Sequence, residues 1–244
     1  MTTETNQSRS TFFQIEISEF WSGDLGLTLV TISLVVLIFV VTPLRQAGLP
    51  GRFVFDLVMC CLMIFGALAL NQSRVVTALV IIFVLISASA LLAGRLHPEP
   101  HLHKIGSILS TITLLLYVRI VLLVMFRRGR VTWSRMQGGV CAYLLLGMAW
   151  ASAYLTVEQF QPGAFQFQSA PANFDELIAK LTYFSFCVLT TVGSSIAPIS
   201  PIARSLTTAE AVVGQLFPAI LIGALVAMAM QAQAQAQAHT HPKP

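Results

Sequence analysis

Residues 190–195 read Thr190-Thr191-Val192-Gly193-Ser194-Ser195, a stretch whose main chain, more than its side chains, could do chemistry. A metal cation leaves water only where other oxygens replace its hydration shell, and rows of backbone carbonyls do this for K⁺ when the chain holds them facing one way. Gly193 tolerates the dihedrals that such a row needs. Ser194 and Ser195 could add hydroxyl oxygens at the outer entrance. The chemistry would be coordination and passage of a monovalent cation, with no bond made or broken.

The elements that would position this row are legible in composition. Hydrophobic residues make up 56% of the 244-residue chain and charged residues 10%, more apolar surface than a soluble domain of that length can hide. Crossing a hydrocarbon core about 30 Å thick takes roughly 20 apolar residues, and such runs fall at 25–44, 53–70, 75–94, 106–126, 136–157 and 207–230. The expectation is an all-α membrane protein with six transmembrane helices, because helices satisfy their own backbone in lipid and the alternation of a membrane barrel is absent. The chain then divides into an N-terminal segment 1–24, four peripheral helices over 25–126, a module 127–230 built around residues 190–195, and a tail 231–244 in which Gln and Ala alternate.

Within 1–24, Phe13, Ile17, Phe20 and Trp21 have the spacing of one apolar helix face, which predicts an interfacial helix. The first ten residues lack the basic start and apolar core of a removable signal. A formal charge of +4 comes from arginines and lysines clustered in short loops and not on one folded face, which speaks to lipid headgroups and topology and not to nucleic acid. Arg127, Arg128, Arg130 and Arg135 cluster between the fourth and fifth runs, placing that linker in the cytoplasm and 158–206 outside. Cys60, Cys61, Cys141 and Cys187 fall in apolar segments and read as buried thiols, not a disulfide framework.

The outer segment contains a second helix signal. Asn173 can cap a helix whose first turn holds Asp175 and Glu176, with Glu176 at the N3 position of a capping box. The predicted helix runs through Leu177, Ile178, Leu181, Phe184 and Phe186, too short to cross a bilayer, and Gly193, Pro198 and Pro201 interrupt regular structure beyond it. A short helix leading into irregular chain reads as a reentrant loop, and irregular backbone at membrane depth must be buried in protein or line an aqueous path. The loop therefore predicts a pore assembled from several copies.

Over 127–230 the chain resembles the two-helix pore module of the potassium channel family, in its bacterial six-span branch without a true voltage sensor. The resemblance is carried by Tyr183-Phe184-Ser185-Phe186, by Thr190-Thr191-Val192-Gly193, by the run from Pro198 to Ser205, and by Glu210-Ala211-Val212-Val213-Gly214-Gln215. It implies a homotetramer in the plasma membrane, the last span lining the pore, the short helix aiming its negative end at the ion path, and a selectivity filter at Thr190, Thr191, Val192, Gly193, Ser194 and Ser195. Where the family continues Tyr-Gly-Asp, this chain has Ser194, Ser195 and Ile196, one residue short before the proline. That departure predicts weakened discrimination of K⁺ over Na⁺; a nonconducting scaffold or regulatory subunit is the alternative. The permeant cations need no cofactor.

Gly214 and Pro218 lie in the last span, where glycine offers a flexible point and proline removes a helical hydrogen bond, so they mark either a gating hinge or a static kink. Glu210, with Arg204 nearby, either sets charge at the outer vestibule or forms a structural pair. Arg119 stands alone in the fourth run, without the three-residue repeat of a voltage sensor, and reads as snorkelling to the inner interface. His97, Glu99, His101 and His103 offer metal-ligand types, but Pro98 and Pro100 break their spacing and a solvated loop is expected. No paired carboxylates, HExxH or Ser/His/Asp set occurs at matching depth, so no enzyme is expected. A small transporter is disfavoured because the reentrant pattern occurs once.

Overall fold

The computed structural model describes residues 31–42, 100–125 and 133–240, with isolated helical positions at 82, 85, 86 and 89. The expected interfacial helix, the second span, nearly all of the third span, His97 and Glu99 lie outside the described residues.

Residues 31–42 form α1, which widens into a π turn over Leu37–Val41. Thr42 closes that turn by donating its hydroxyl to Leu37 O at 3.0 Å. Then come α2 (Pro100–Met125), α3 (Trp133–Phe160), β1 (Phe165–Gln166), α4 (Phe174–Leu189), β2 (Ala197–Pro198) and α5 (Pro201–Thr240). Three of these are long and apolar enough to cross a membrane, over Lys104–Leu123, Met136–Phe160 and Pro201–Gln231. They correspond to the fourth, fifth and sixth expected spans, each helix longer than its apolar run.

Three details depart from expectation. Pro201 begins α5 and does not interrupt it, because a proline at the first helical position gives up an N–H that has no helical partner anyway. Ser200 is the cap, accepting from Ala203 N–H at 3.1 Å. The fold also contains a two-stranded antiparallel ribbon, Phe165 opposite Pro198 and Gln166 opposite Ala197. Its strands are two residues each, so the class stays all-α, but the ribbon ties the loop after α3 to the loop before α5. His101 and His103 lie in α2 and not in a loop.

Packing runs from α2 through α3 to α4. Hydroxyls stitch α2 to α3: Thr111 donates to Ser152 Oγ at 2.9 Å, and Ser107 to Gln159 Oε1 at 3.2 Å. Each such bond contributes about 0.6 kcal/mol in a membrane. Beside them, Tyr154 on α3, Phe165 on β1 and Phe184 on α4 meet edge-on as three mutual pairs, with centroids 5.2–5.5 Å apart, and this cluster sets the position of α4. The fifth helix differs from the others. Only 6% of its apolar window is buried within the chain, and Val212, Leu216 and Ile220, spaced four apart, all stand more than half exposed.

Candidate functional site

The short helix forms where the capping chemistry places it. Asn173 Oδ1 accepts from Glu176 N–H at 2.9 Å, while the Glu176 carboxylate accepts from Ala172 N–H at 2.7 Å, one residue before the cap. Lys180 pairs with Glu176 at 2.8 Å and reaches Ser169 O at 2.7 Å. The Lys180 ammonium and then the Ala172 N–H hold the Glu176 carboxyl below the usual carboxylate range. The first turn of α4 is thereby pinned to the loop that enters it.

At the other end of α4 the last four carbonyls all find donors. Phe186 O accepts from Thr190 N–H and Cys187 O from both Val192 N–H at 3.0 Å and Gly193 N–H at 3.3 Å; Val188 O accepts from Thr191 N–H at 3.0 Å. Leu189 O accepts the hydroxyl of Tyr143 on α3 at 3.0 Å. The bonds to Cys187 O and Val188 O are those of a Schellman cap, with Thr191 at the left-handed position, φ +60°. Gly193 comes two residues later at φ +90°.

This cap fixes where the oxygens of the next residues go. In a trans peptide the C=O points opposite to the N–H it is joined to. The N–H groups of Thr191, Val192 and Gly193 all turn back onto α4, so the carbonyls of Thr190, Thr191 and Val192 all point away from it. None of them accepts a hydrogen bond from the described residues. The side chains there are exposed, Val192 by 78%.

The outer pair behaves differently. Ser194 Oγ accepts from Ile196 N–H at 3.2 Å, closing a local turn. Ser195 lines a cavity of about 420 Å³ between α1 and α4, together with Phe39, Lys180 and Tyr183. The structure thus turns the carbonyls of Thr190, Thr191 and Val192 one way, while the hydroxyl of Ser194 bonds locally and Ser195 lines the cavity.

Glu210 and Arg204 depart from both sequence expectations. They are six residues apart, about one and two-thirds helical turns, and so leave α5 on different faces. Arg204 is exposed and donates from Nε to Pro198 O at 3.1 Å. Glu210 is fully buried within the chain, 0% exposed. Its Oε2 accepts the hydroxyl of Tyr154 on α3, and its Oε1 lies 2.5 Å from Ser185 Oγ on α4. Ser185 Oγ is also 2.8 Å from Gly147 O on α3. Sequence reasoning does not single out Tyr154 and Ser185 as partners of this carboxyl. The available signal is that a carboxylate inside an apolar span demands polar company.

Gly214 is where α5 passes the end of α4. A Cβ placed there would collide with the backbone of Leu189, its carbonyl oxygen first. This glycine therefore has a packing reason apart from any hinge. Pro218, four residues on, lies inside the helix and cannot donate to Gly214 O. Arg119 is exposed on α2 near the end of its apolar window. Among the described residues no group of His, Cys, Asp and Glu is placed to hold a metal ion. No family model, curated protein or solved structure matches this chain.

Proposed function

We propose that the chain is one subunit of a homotetrameric monovalent-cation channel of the plasma membrane, related to potassium channels, with residues 190–195 of four copies forming a shared filter. The observation that carries this is the row of main-chain oxygens at Thr190, Thr191 and Val192, all turned away from the helix that precedes them and accepting no hydrogen bond from the described residues. Such a row is costly beside lipid and useful beside a cation. The negative end of α4 adds a favourable field for positive charge. The uncovered apolar stripe of α5 supports a neighbouring copy against it, with lipid on the remainder.

The same geometry argues for weak selectivity. Beyond Gly193 the serine hydroxyl of residue 194 is occupied by a local turn, and no second glycine comes next to turn another carbonyl inward. A cation there keeps part of its hydration shell, and a partly hydrated K⁺ is poorly distinguished from Na⁺. The four peripheral helices of each subunit would surround the pore module.

The test is a reversal-potential measurement on purified protein in planar bilayers, with K⁺ on one side and Na⁺ on the other. A clear current with a potential near zero is expected, and Gly193→Ala should abolish that current. A Nernstian K⁺ potential would overturn weak selectivity. Absence of current would overturn conduction and favour the scaffold or regulatory subunit.

A further inference from the structure

The protons around Glu210 can be counted. Ser185 Oγ stands within hydrogen-bond distance of two oxygens, Gly147 O at 2.8 Å and Glu210 Oε1 at 2.5 Å. A hydroxyl has one proton to donate, a carbonyl has none, and an ionised carboxylate has none. If Glu210 were ionised, one of those two contacts would set lone pairs against each other at hydrogen-bond distance. The charge would also be fully buried with only hydroxyls as partners, without a cation on it among the described residues. The other titratable groups facing it are Tyr154 and Tyr143, both on α3; Arg204, on its own helix, is turned to Pro198 O.

One added proton resolves every contact. Tyr154 O–H donates to Glu210 Oε2, Glu210 Oε1–H donates to Ser185 Oγ, and Ser185 Oγ–H donates to Gly147 O. Each proton is used once and each oxygen accepts in turn. We propose that Glu210 is a neutral carboxylic acid at the centre of a directed hydrogen-bond chain from Tyr154 to Gly147, and that it is the positioning residue that fixes α4, and through it the row at 190–192, against α3 and α5. The chain touches α4 one turn before Leu189 and α5 one turn before Gly214, so it sits directly behind the other close contact between these helices. The positioning role rests on the channel reading above; the protonation state does not.

Infrared difference spectroscopy on the full chain, wild type against Glu210→Gln at neutral pH, tests the proton. The wild type should show a protonated-carboxyl C=O band that shifts in D₂O and is missing from the variant. A glutamine amide can still donate to Ser185 and accept from Tyr154, so Glu210→Gln should melt with the wild type, while Glu210→Leu should melt lower. No band difference, or a Glu210→Gln variant melting as low as Glu210→Leu, would overturn the neutral acid. For the positioning role, Glu210→Gln should keep the wild-type reversal potential and current, and Glu210→Leu should shift the potential or lose the current. An unchanged Glu210→Leu channel would overturn that role. The spectrum and the melting curves require no ion flux, so failure of the channel reading leaves them decisive.

Discussion

Substituting Gly214 by alanine separates packing from hinge bending. The added methyl would enter the backbone of Leu189 at the end of α4, and a carbonyl has no rotamer by which to withdraw. Overpacking of this kind costs about 1–3 kcal/mol, and a backbone collision belongs at the upper end. Leu189 O also accepts from Tyr143 at 3.0 Å, and moving it forfeits about 0.6 kcal/mol. Alanine returns about 1 kcal/mol of helix propensity over glycine. The net loss is about 2.5 kcal/mol, a fall of roughly 5–10 °C in Tm for a chain of this length. Gly223 is the control on the same helix: a Cβ there meets nothing within 4 Å, so Gly223→Ala should hold or raise Tm by roughly 2–4 °C. Gly139 is intermediate, since a Cβ there meets the flexible Leu221 side chain. Thermal unfolding of the three purified variants in one detergent reads the order Gly214→Ala, Gly139→Ala, Gly223→Ala from least to most stable. Equal melting of the first and last, with altered gating in the first alone, would refute the packing argument and restore the hinge.

Two smaller effects arise at the start of α4. Replacing Asn173 by alanine removes the acceptor of Glu176 N–H and should cost about 1 kcal/mol, read as a lower Tm that Asn173→Asp restores; equal melting of Asn173→Ala and wild type would dismiss the cap. The Glu176 carboxyl is held below its ordinary value, so its contribution is present above the ordinary carboxylate range and fades as pH falls through the lower folded value. Melting of wild type and Glu176→Gln should therefore differ at neutral pH and converge in acid, whereas a pH-independent difference would show that the carboxylate is not the cause.

Much of this architecture is written locally. Apolar length alone marks α2, α3 and α5, because lipid imposes one rule on any segment that crosses it. The start of α4 is legible because Asn173 and Glu176 bond within four residues of each other. The start of α5 is equally legible in Ser200-Pro201, a cap with a proline at the first helical position, but reading Pro201 as an interruption obscures it. The ribbon between residues 165–166 and 197–198 is not legible, since a two-residue pairing leaves no periodicity.

The sequence by itself determined an apolar, helical chain with one short capped helix delivering a Thr-Val-Gly stretch, because caps, apolar runs and glycine backbones act over a few neighbouring residues. Tertiary structure decided what those residues face. The carbonyls of Thr190 to Val192 point outward only because three N–H groups return to the end of α4. Glu210 leaves the surface only because Tyr154 and Ser185, distant in the chain, bring hydroxyls to it. Gly214 is fixed by the backbone of Leu189. Each of these is a meeting of separate helices, and such a meeting is set by packing in three dimensions, which no local spacing encodes.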